Sequence, residues 1–443
     1  MSIRHTSRQI ILLVVDCLIL FLSLILALSI RSGDWKSPGE LIHIFTPFSV
    51  IILSSVMIFY MYGLYNKPTL KLTRELSLRI TQSQILSGII AILLFYNLPS
   101  LGVAPKTILL LYLIFSSILS IIWRKYAYNL ILRKKQQTAV IIGSGKSFML
   151  LTDEFSRNPH LGISLVSVID LETHPLNTIP SVLHRLTPDT IIVDLRDSRI
   201  QVHLGILYEQ LIKNVSILDI VDVYENVFDA VPLDLINQEW LLRHIDLTRR
   251  YDTPKRILDL VIAVPAFIVS LIFYPFIYLA IKLEDRGNIF YTSIRIGKYN
   301  EPFPFYKIRS MSEIDSINEK EDSEKRVTRI GKILRKSRLD ELPQLWNVIK
   351  GDLSLIGPRP ELPSLVEEYS KSIRYYPMRH LVRPGVSGWA QIEQFEAPKF
   401  GVDIKQTSTK LSYDLYYITN GNILLDIAIG IKTIKVLLGK TGI

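Results

Sequence analysis

Cysteine is almost absent. The one cysteine, Cys17, lies inside an apolar run, so the chain can build neither an intrachain disulfide nor a cysteine-based metal site. Acidic residues are in deficit, 41 against 51 Lys and Arg, which leaves a net charge of +10. Charge of either sign is missing from long stretches: 49% of the 443 residues are hydrophobic and the mean hydropathy is +0.28. Because the apolar residues come in runs, the basic excess points to a membrane and not to nucleic acid, which is not an expected partner.

Four of those runs fill the first third: Ile10–Ile30, Leu41–Tyr62, Ile80–Tyr96 and Thr107–Trp123. Each is near the ~20 residues that a helix needs to cross a bilayer. The first is too long for a cleaved signal peptide and has no small-residue cleavage site before Arg31. Its Asp16 is expected at the interface or facing a neighbouring helix. Arg4 and Arg8 precede the first run, Lys67, Lys71, Arg74 and Arg79 separate the second from the third, and Arg124, Lys125, Arg133, Lys134 and Lys135 follow the fourth. The other two loops hold only Arg31, Lys36 and Lys106. The positive-inside rule then puts both ends of a four-helix unit, residues 1–130, on the cytoplasmic face.

Residues 137–250 alternate strand-like and helix-like patterns, "TAVIIGSGK", "SLVSVID", "DTIIVDL" and "VSILDI" being the strands. This predicts a small Rossmann-like α/β domain with a doubly wound parallel sheet. Its Gly143–Ser144–Gly145 turn lacks the third glycine of a dinucleotide fingerprint, Phe148 standing in that place. A tight turn without a ligand is the reading adopted. Asp170 stands where a ribose-binding acid would be, a weak signal by itself.

A fifth apolar run, 256–283, is long enough to span but carries Pro265 and Pro275 and has basic flanks on both sides, Lys255 and Arg256 before, Lys282 and Arg286 after. Proline breaks the helix, and like flanks favour one face for both ends. The expectation is a helix–break–helix that dips into the inner leaflet and returns, broken at Pro275.

The final domain, 251–443, concentrates Lys and Arg beside Gly and Pro turns. "FYKIRSM" places Lys307 and Arg309 on one face of a strand. "RIGKILRKSRLDELPQLWNVIKG" predicts a helix from about Ile330, interrupted near Pro343. Asp340 and Glu341 sit side by side among Arg335, Lys336 and Arg338. Adjacent carboxylates resist joint ionisation unless cations or Mg²⁺ relieve them, and a carboxylate can attack phosphorus. A solvated surface pair is the competing reading.

Taken together, "KRILDL", "FPFYKIRSM", "LRKSRLDELPQLWNVIKGDLSLIGPRP", "HLVRPGVSGWAQ" and "YDLYYI" resemble the bacterial sugar transferase family, the monotopic polyprenyl-phosphate glycosyl-1-phosphate transferases, from about Lys255 onward. The helices and α/β domain before it are similar to the large members that initiate exopolysaccharide, capsule or O-antigen synthesis. The resemblance implies transfer of a sugar-1-phosphate from a UDP-sugar to undecaprenyl phosphate at the inner membrane, with release of UMP. It implies Asp340 as nucleophile of a covalent phospho-sugar intermediate, Glu341 as its Mg²⁺-associated partner, and Lys307, Arg309, Arg335, Arg359 and Arg383 as phosphate contacts. A catalytic domain on the cytoplasmic face, membrane lipid as a partner and a homodimer are further expectations. Tyr274 before the proline, Gly287–Asn288 and Arg338 depart from the family pattern. The competing reading is an inert membrane scaffold or nucleotide sensor, against which the intact Asp340–Glu341 pair argues; a nucleotide-sugar dehydratase is set aside, because Pro254 interrupts the Tyr251/Lys255 spacing and no glycine fingerprint precedes it.

Overall fold

The computed structural model describes residues 2–32, 38–65, 74–97, 106–132, 136–158, 161–175, 177, 179–245, 252–284, 287–311, 327–394 and 403–438. Lys36, Lys67, Lys71, Arg133, Lys134, Lys135, Tyr251 and Arg286, used above, lie outside them. The chain divides into two compact units, Met1–Val227 and Phe228–Ile443.

The first unit opens with four helices, α1 (Ser2–Ser32), α2 (Pro38–Met61), α3 (Arg74–Asn97) and α4 (Lys106–Leu132). Over the described residues, three carry stretches long and apolar enough to cross a membrane: Ile11–Arg31, Leu76–Leu93 and Thr107–Arg124. In α2 the apolar stretch Phe48–Met61 is shorter. α1 packs on α4 and α2, and α3 on α2 and α4. Leu20, Leu24, Phe48, Ile51, Ile80 and Tyr112 fill the centre. Two buried hydroxyls there return to their own helix: Ser55 donates to Ile51 O (2.8 Å) and Ser87 to Ser83 O (2.9 Å), so neither is left as an unpaired donor in the apolar interior. Asp16 does face a neighbouring helix. Its carboxylate takes Arg124 Nη2 at 2.5 Å, with both side chains buried and the guanidinium over the Tyr65 ring at 5.5 Å. Arg124 is therefore not a free flanking charge, as the sequence reading counted it; its charge is spent inside the helix packing.

The α/β part has strands β1 (Gln137–Gly143), β2 (Ile163–Asp170), β3 (Thr190–Val193) and β4 (Ser216–Asp219). All pair in parallel, in the order β2-β1-β3-β4, with α5 (Lys146–Arg157), α6 (Ile179–Leu186), α7 (Ser198–Gln201), α8 (Leu204–Ile212) and α9 (Ile220–Phe228) between and after them. Where the third fingerprint glycine is missing, the Phe148 ring closes on Gly143, so that a Cβ there would meet it at 2.9 Å. The turn hydroxyl, Ser144 Oγ, accepts from Arg199 Nη2 at 3.0 Å, and Asp170 Oδ1 accepts from the Glu172 amide, closing its own turn.

The second unit begins with a segment laid on its own later helix: Val231 and Ser412 exchange two hydrogen bonds. After α10 (Gln238–His244) come α11 (Asp252–Ser270) and α12 (Tyr274–Glu284), whose axes are bent by 51° across the break at 271–273. Pro275 occupies the first turn of α12, where its missing N–H would have had no partner. Pro265 is accommodated inside α11. Ile268, Leu271, Ile272, Phe276, Leu279 and Leu283 are exposed along both arms.

The arms rest on an antiparallel pair, β5 (Phe290–Ile296) with β6 (Pro302–Ile308), and on α13 (Arg329–Ser337) and α14 (Gln344–Lys350). Ala263, Phe303, Phe305, Val348 and Leu353 form one core, and Ile277, Ile281, Ile308 and Leu334 another. Polar fasteners reinforce both arms. Arg256 donates to the carbonyls of Val348 (2.6 Å) and Ile349 (2.8 Å) near the C-terminus of α14, where a cation is favoured. The Glu284 carboxylate caps the N-terminus of α13 through the amides of Arg329 (2.6 Å) and Ile330 (3.0 Å). A short parallel pair, β7 (Ser354–Ile356) with β8 (Gly385–Ser387), and α15 (Pro363–Ser372), α16 (Trp389–Glu393), α17 (Ile404–Asn420) and α18 (Ile423–Leu438) complete the unit.

Asn347 ties α14 to the sheet. It is fully buried; its amide donates to Pro304 O at 2.7 Å and its Oδ1 accepts from the Tyr306 amide at 3.2 Å. Asn347→Ala would strand both backbone groups and should destabilise the protein by about 2 kcal/mol, read as a lowered unfolding midpoint in detergent.

Candidate active site

Continuous helix through the acidic pair is not what forms. α13 ends at Arg338, which takes the left-handed conformation (φ 57°, ψ 16°) and donates its amide back to Leu334 and Arg335. A single 3₁₀ turn, Leu339–Glu341, follows, and helix resumes only at Gln344. The interruption thus falls ahead of the position expected near Pro343. Its cause is packing: the left-handed residue turns Leu339 back into the core that holds Leu334 and Ile308 and carries Asp340 inward. Few non-glycine residues accept this backbone. Arg338, the residue that departs from the family pattern, is the hinge of the turn.

The two carboxylates then meet different surroundings. Glu341 Oε1 accepts from Arg359 Nη2 at 3.2 Å and lies 3.7 Å from Lys307 Nζ and 3.6 Å from Arg338 Nη1. Burial alone would raise its pKa, but Arg359, Lys307 and Arg338 outweigh burial and hold it below the ordinary glutamate value. Asp340 is buried, and its Oδ1 has no hydrogen-bond partner among the described residues. Burial first, then the charge of Glu341, push its pKa up against the pull of Lys307, Arg338 and Arg335. Burial also lowers the pKa of Lys307, with Glu341 opposing and Arg359 assisting. Opposite shifts on neighbouring acids are the pattern of a divided chemical task.

Of the basic residues read from the sequence, Lys307 and Arg359 join the pair directly. Arg335 is held by Ser310 Oγ (2.8 Å) at the rim. Arg309 follows the last residue of β6, and its amide still donates to Ile289 O at 2.9 Å, which extends the β5–β6 pairing by one residue. It is buried with its guanidinium against Gly287, where any Cβ would collide with it. Arg383 forms no hydrogen bond or ion pair among the described residues, and its carbonyl abuts Gly357 in the loop that bears Arg359. A divalent ion suits the arrangement in one respect. The orphaned Asp340 Oδ1 and the carboxylate of Glu341 offer the one or two acidic ligands that Mg²⁺ takes alongside substrate phosphates. Among the described residues no three His, Cys, Asp or Glu groups gather into a full cage.

Behind the Arg359 loop lies a buried charge cluster that the sequence reading missed: Glu361, Arg379, Lys410 and Asp414. His380 adjoins it, with Nδ1 2.5 Å from Asn300 Oδ1. Pairs so far apart in the chain leave no local pattern; the only signal was their place beside quoted motifs, Arg379 before "HLVRPG" and Asp414 in "YDLYYI".

This site, on a domain built around a broken apolar helix, matches a known class. Residues 250–440 match the bacterial sugar transferase family, and residues 60–202 match one described as a CoA-binding domain. The chain belongs to the bacterial sugar transferase family. It is 37% identical over 261 residues to the UDP-N-acetylgalactosamine-undecaprenyl-phosphate N-acetylgalactosaminephosphotransferase of Aeromonas hydrophila, covering 57% of this chain and 60% of that protein. It is 30% identical over 331 residues to the UDP-glucose:undecaprenyl-phosphate glucose-1-phosphate transferase of Xanthomonas campestris pv. campestris (69% and 67%). It is 35% identical over 190 residues to the uncharacterized sugar transferase EpsL of Bacillus subtilis (43% and 89%).

Burial, followed by the Arg379 charge, lowers the pKa of His380 from 6.5 to about 4. A depressed histidine favours the folded state above pH 6.5, and that contribution is lost as pH falls from 6.5 through about 4, where only the unfolded chain takes the proton readily. Thermal unfolding between those limits should lose stability steeply, and His380→Gln should flatten the slope.

Proposed function

We propose that this protein transfers a sugar-1-phosphate from a UDP-sugar to a polyprenyl phosphate, undecaprenyl phosphate by analogy with the Aeromonas and Xanthomonas relatives, and releases UMP. The observation that carries the reading is the contrast within the acidic pair: one carboxylate clamped by cations, its neighbour buried with an oxygen unpaired. Asp340 attacks the phosphorus that bears the sugar. The bond from that phosphorus to the bridging oxygen of the diphosphate breaks, and UMP departs with its electron pair. A phosphate oxygen of the polyprenyl phosphate then attacks the acyl phosphate and returns Asp340 as a carboxylate. Each step develops charge on phosphoryl oxygens, which Lys307 and Arg359 are placed to meet. Mg²⁺ would rest on Glu341 with the open oxygen of Asp340 and, when bound, would neutralise the diphosphate. Arg338, Arg335, Arg309 and Arg383 are assigned to the phosphate-binding surround.

In the same reading, α1 to α4 cross the cytoplasmic membrane with both ends inside. The bent pair α11–α12 enters the inner leaflet and returns, exposing its apolar residues to lipid and keeping the site on the cytoplasmic face. The like-charged flanks and the 51° bend support this. A homodimer is retained from the base rate for membrane enzymes of this build.

A panel of UDP-glucose, UDP-galactose and their N-acetylated forms, given with undecaprenyl phosphate in detergent, should release UMP with one of them, and Asp340→Asn should abolish release. Failure with every sugar would overturn the transferase, and full activity in Asp340→Asn would overturn the covalent path. Topology is testable with a cysteine at the exposed Glu301, in a Cys17→Ser background. An impermeant maleimide should label it in inverted vesicles and not in intact cells; labelling from outside would sink the re-entrant assignment.

A further inference from the structure

The loop after β7 presents Arg359 between two prolines, and the backbone that follows is pinned by three donors from different places. Arg379 Nη2 donates to Arg359 O at 3.0 Å. Arg295 Nη1 reaches Pro360 O at 3.3 Å, and the Ile296 amide donates to Glu361 O at 3.0 Å. Arg379 stands apart among these because it grips the carbonyl of Arg359 itself.

Its own setting is costly. The Arg379 side chain is 1% exposed and pairs with Asp414 at 2.9 Å and Glu361 at 3.6 Å, while Tyr376 Oη takes Nη1 at 2.7 Å. Lys410 bonds the same Glu361 carboxylate. Two acids and two bases balance, yet burying such a cluster seldom adds net stability over apolar packing. What it does supply is geometry: Tyr376 holds the guanidinium through Nη1, while Nη2 faces Asp414 and also donates to Arg359 O.

We propose that Arg379 is a positioning residue for the transfer reaction: its buried guanidinium fixes the Arg359 backbone and thereby aims the Arg359 side chain at Glu341. The role rests on the transferase reading for its chemistry, while the fixing of the loop stands on the geometry alone. Arg379 reaches no reacting group. Charged neighbours of Arg359 from other elements, Lys307 and Arg295 on the sheet and Glu341 on the turn, are not contacts of the Arg379–Arg359 hydrogen bond.

Two measurements on the full-length protein in detergent decide it. Arg379→Gln is made alone and, to keep the buried charges balanced, with Asp414→Asn. Hydrogen exchange over residues 354–366 should speed up in both, with exchange in α14 unchanged. In the UMP-release assay either variant should lose about 10²-fold in kcat/KM. In an Arg359→Ala background the same changes should cost under about threefold, because the group they aim is gone. Unaltered exchange in the loop, or losses that multiply fully with Arg359→Ala, would overturn the proposal. If only the double variant folds, its loop exchange and its coupling to Arg359→Ala are the deciding measurements. If the wild-type chain releases no UMP from any UDP-sugar, the transferase reading fails, and hydrogen exchange still tests whether Arg379 holds the loop.

Discussion

Glu341 is a carboxylate taken out of water, and a buried charge is tolerated only when paired. Its partners come from three separate places: Lys307 from the sheet, Arg338 from the left-handed turn and Arg359 from the proline loop. The hydrogen-bonded contact to Arg359 therefore does more than close a pocket. It requires the β5–β6 pair, the end of α13 and the loop after β7 to arrive in register, and each of these is in turn fastened elsewhere. Asp340 gains its unusual state from the same constraint. With the cations drawn to Glu341, its neighbour keeps an oxygen free.

Charges near the broken helix have two uses. On the sequence, Lys255 and Arg256 before the run and Lys282 and Arg286 after it read as flanks that decide which side of a membrane the ends occupy. In the folded unit Lys255 and Arg256, with Asp259 and Glu284 beside them, are also fasteners. Lys255 meets Asp426 at 2.8 Å, Asp259 accepts from the Leu355 amide, and Arg256 and Glu284 cap opposite ends of α14 and α13. The apolar arms are thereby bolted to the domain that bears the acidic pair. The arms and Asp340 are therefore parts of one mechanical body.

Much of this was legible without coordinates, for physical reasons. Long apolar runs and short β-branched segments announce themselves because their signal is local, and all four strands of the parallel sheet fall where the pattern put them. The acidic pair and two of its cations were legible because phosphate chemistry confines the residue types. The break between α13 and α14 was legible only in outline, since the sequence points to Pro343 and the helix ends at Ser337. Helical periodicity continues through "KSRLDELP", and only the pull of Leu339 into the core ends it at Arg338. Arg309 pairs with Ile289 one residue past β6 as the alternation implies, but nothing in the local pattern announces its burial against Gly287. Arg379 and Asp414 were invisible because a long-range ion pair imposes nothing on its sequence neighbours.

The ion pair between Asp16 and Arg124 has a meaning for synthesis as well as for packing. The two residues are 108 positions apart, on the first and the last of the four helices. The ribosome releases α1 long before its counter-charge exists. If α1 enters a bilayer before α4 is made, its carboxyl has no counter-charge there, and an unpaired charge in hydrocarbon is expensive. Arg124 supplies that counter-charge from the last helix of the four, so a chain cut short before it would keep the acid of α1 without its partner.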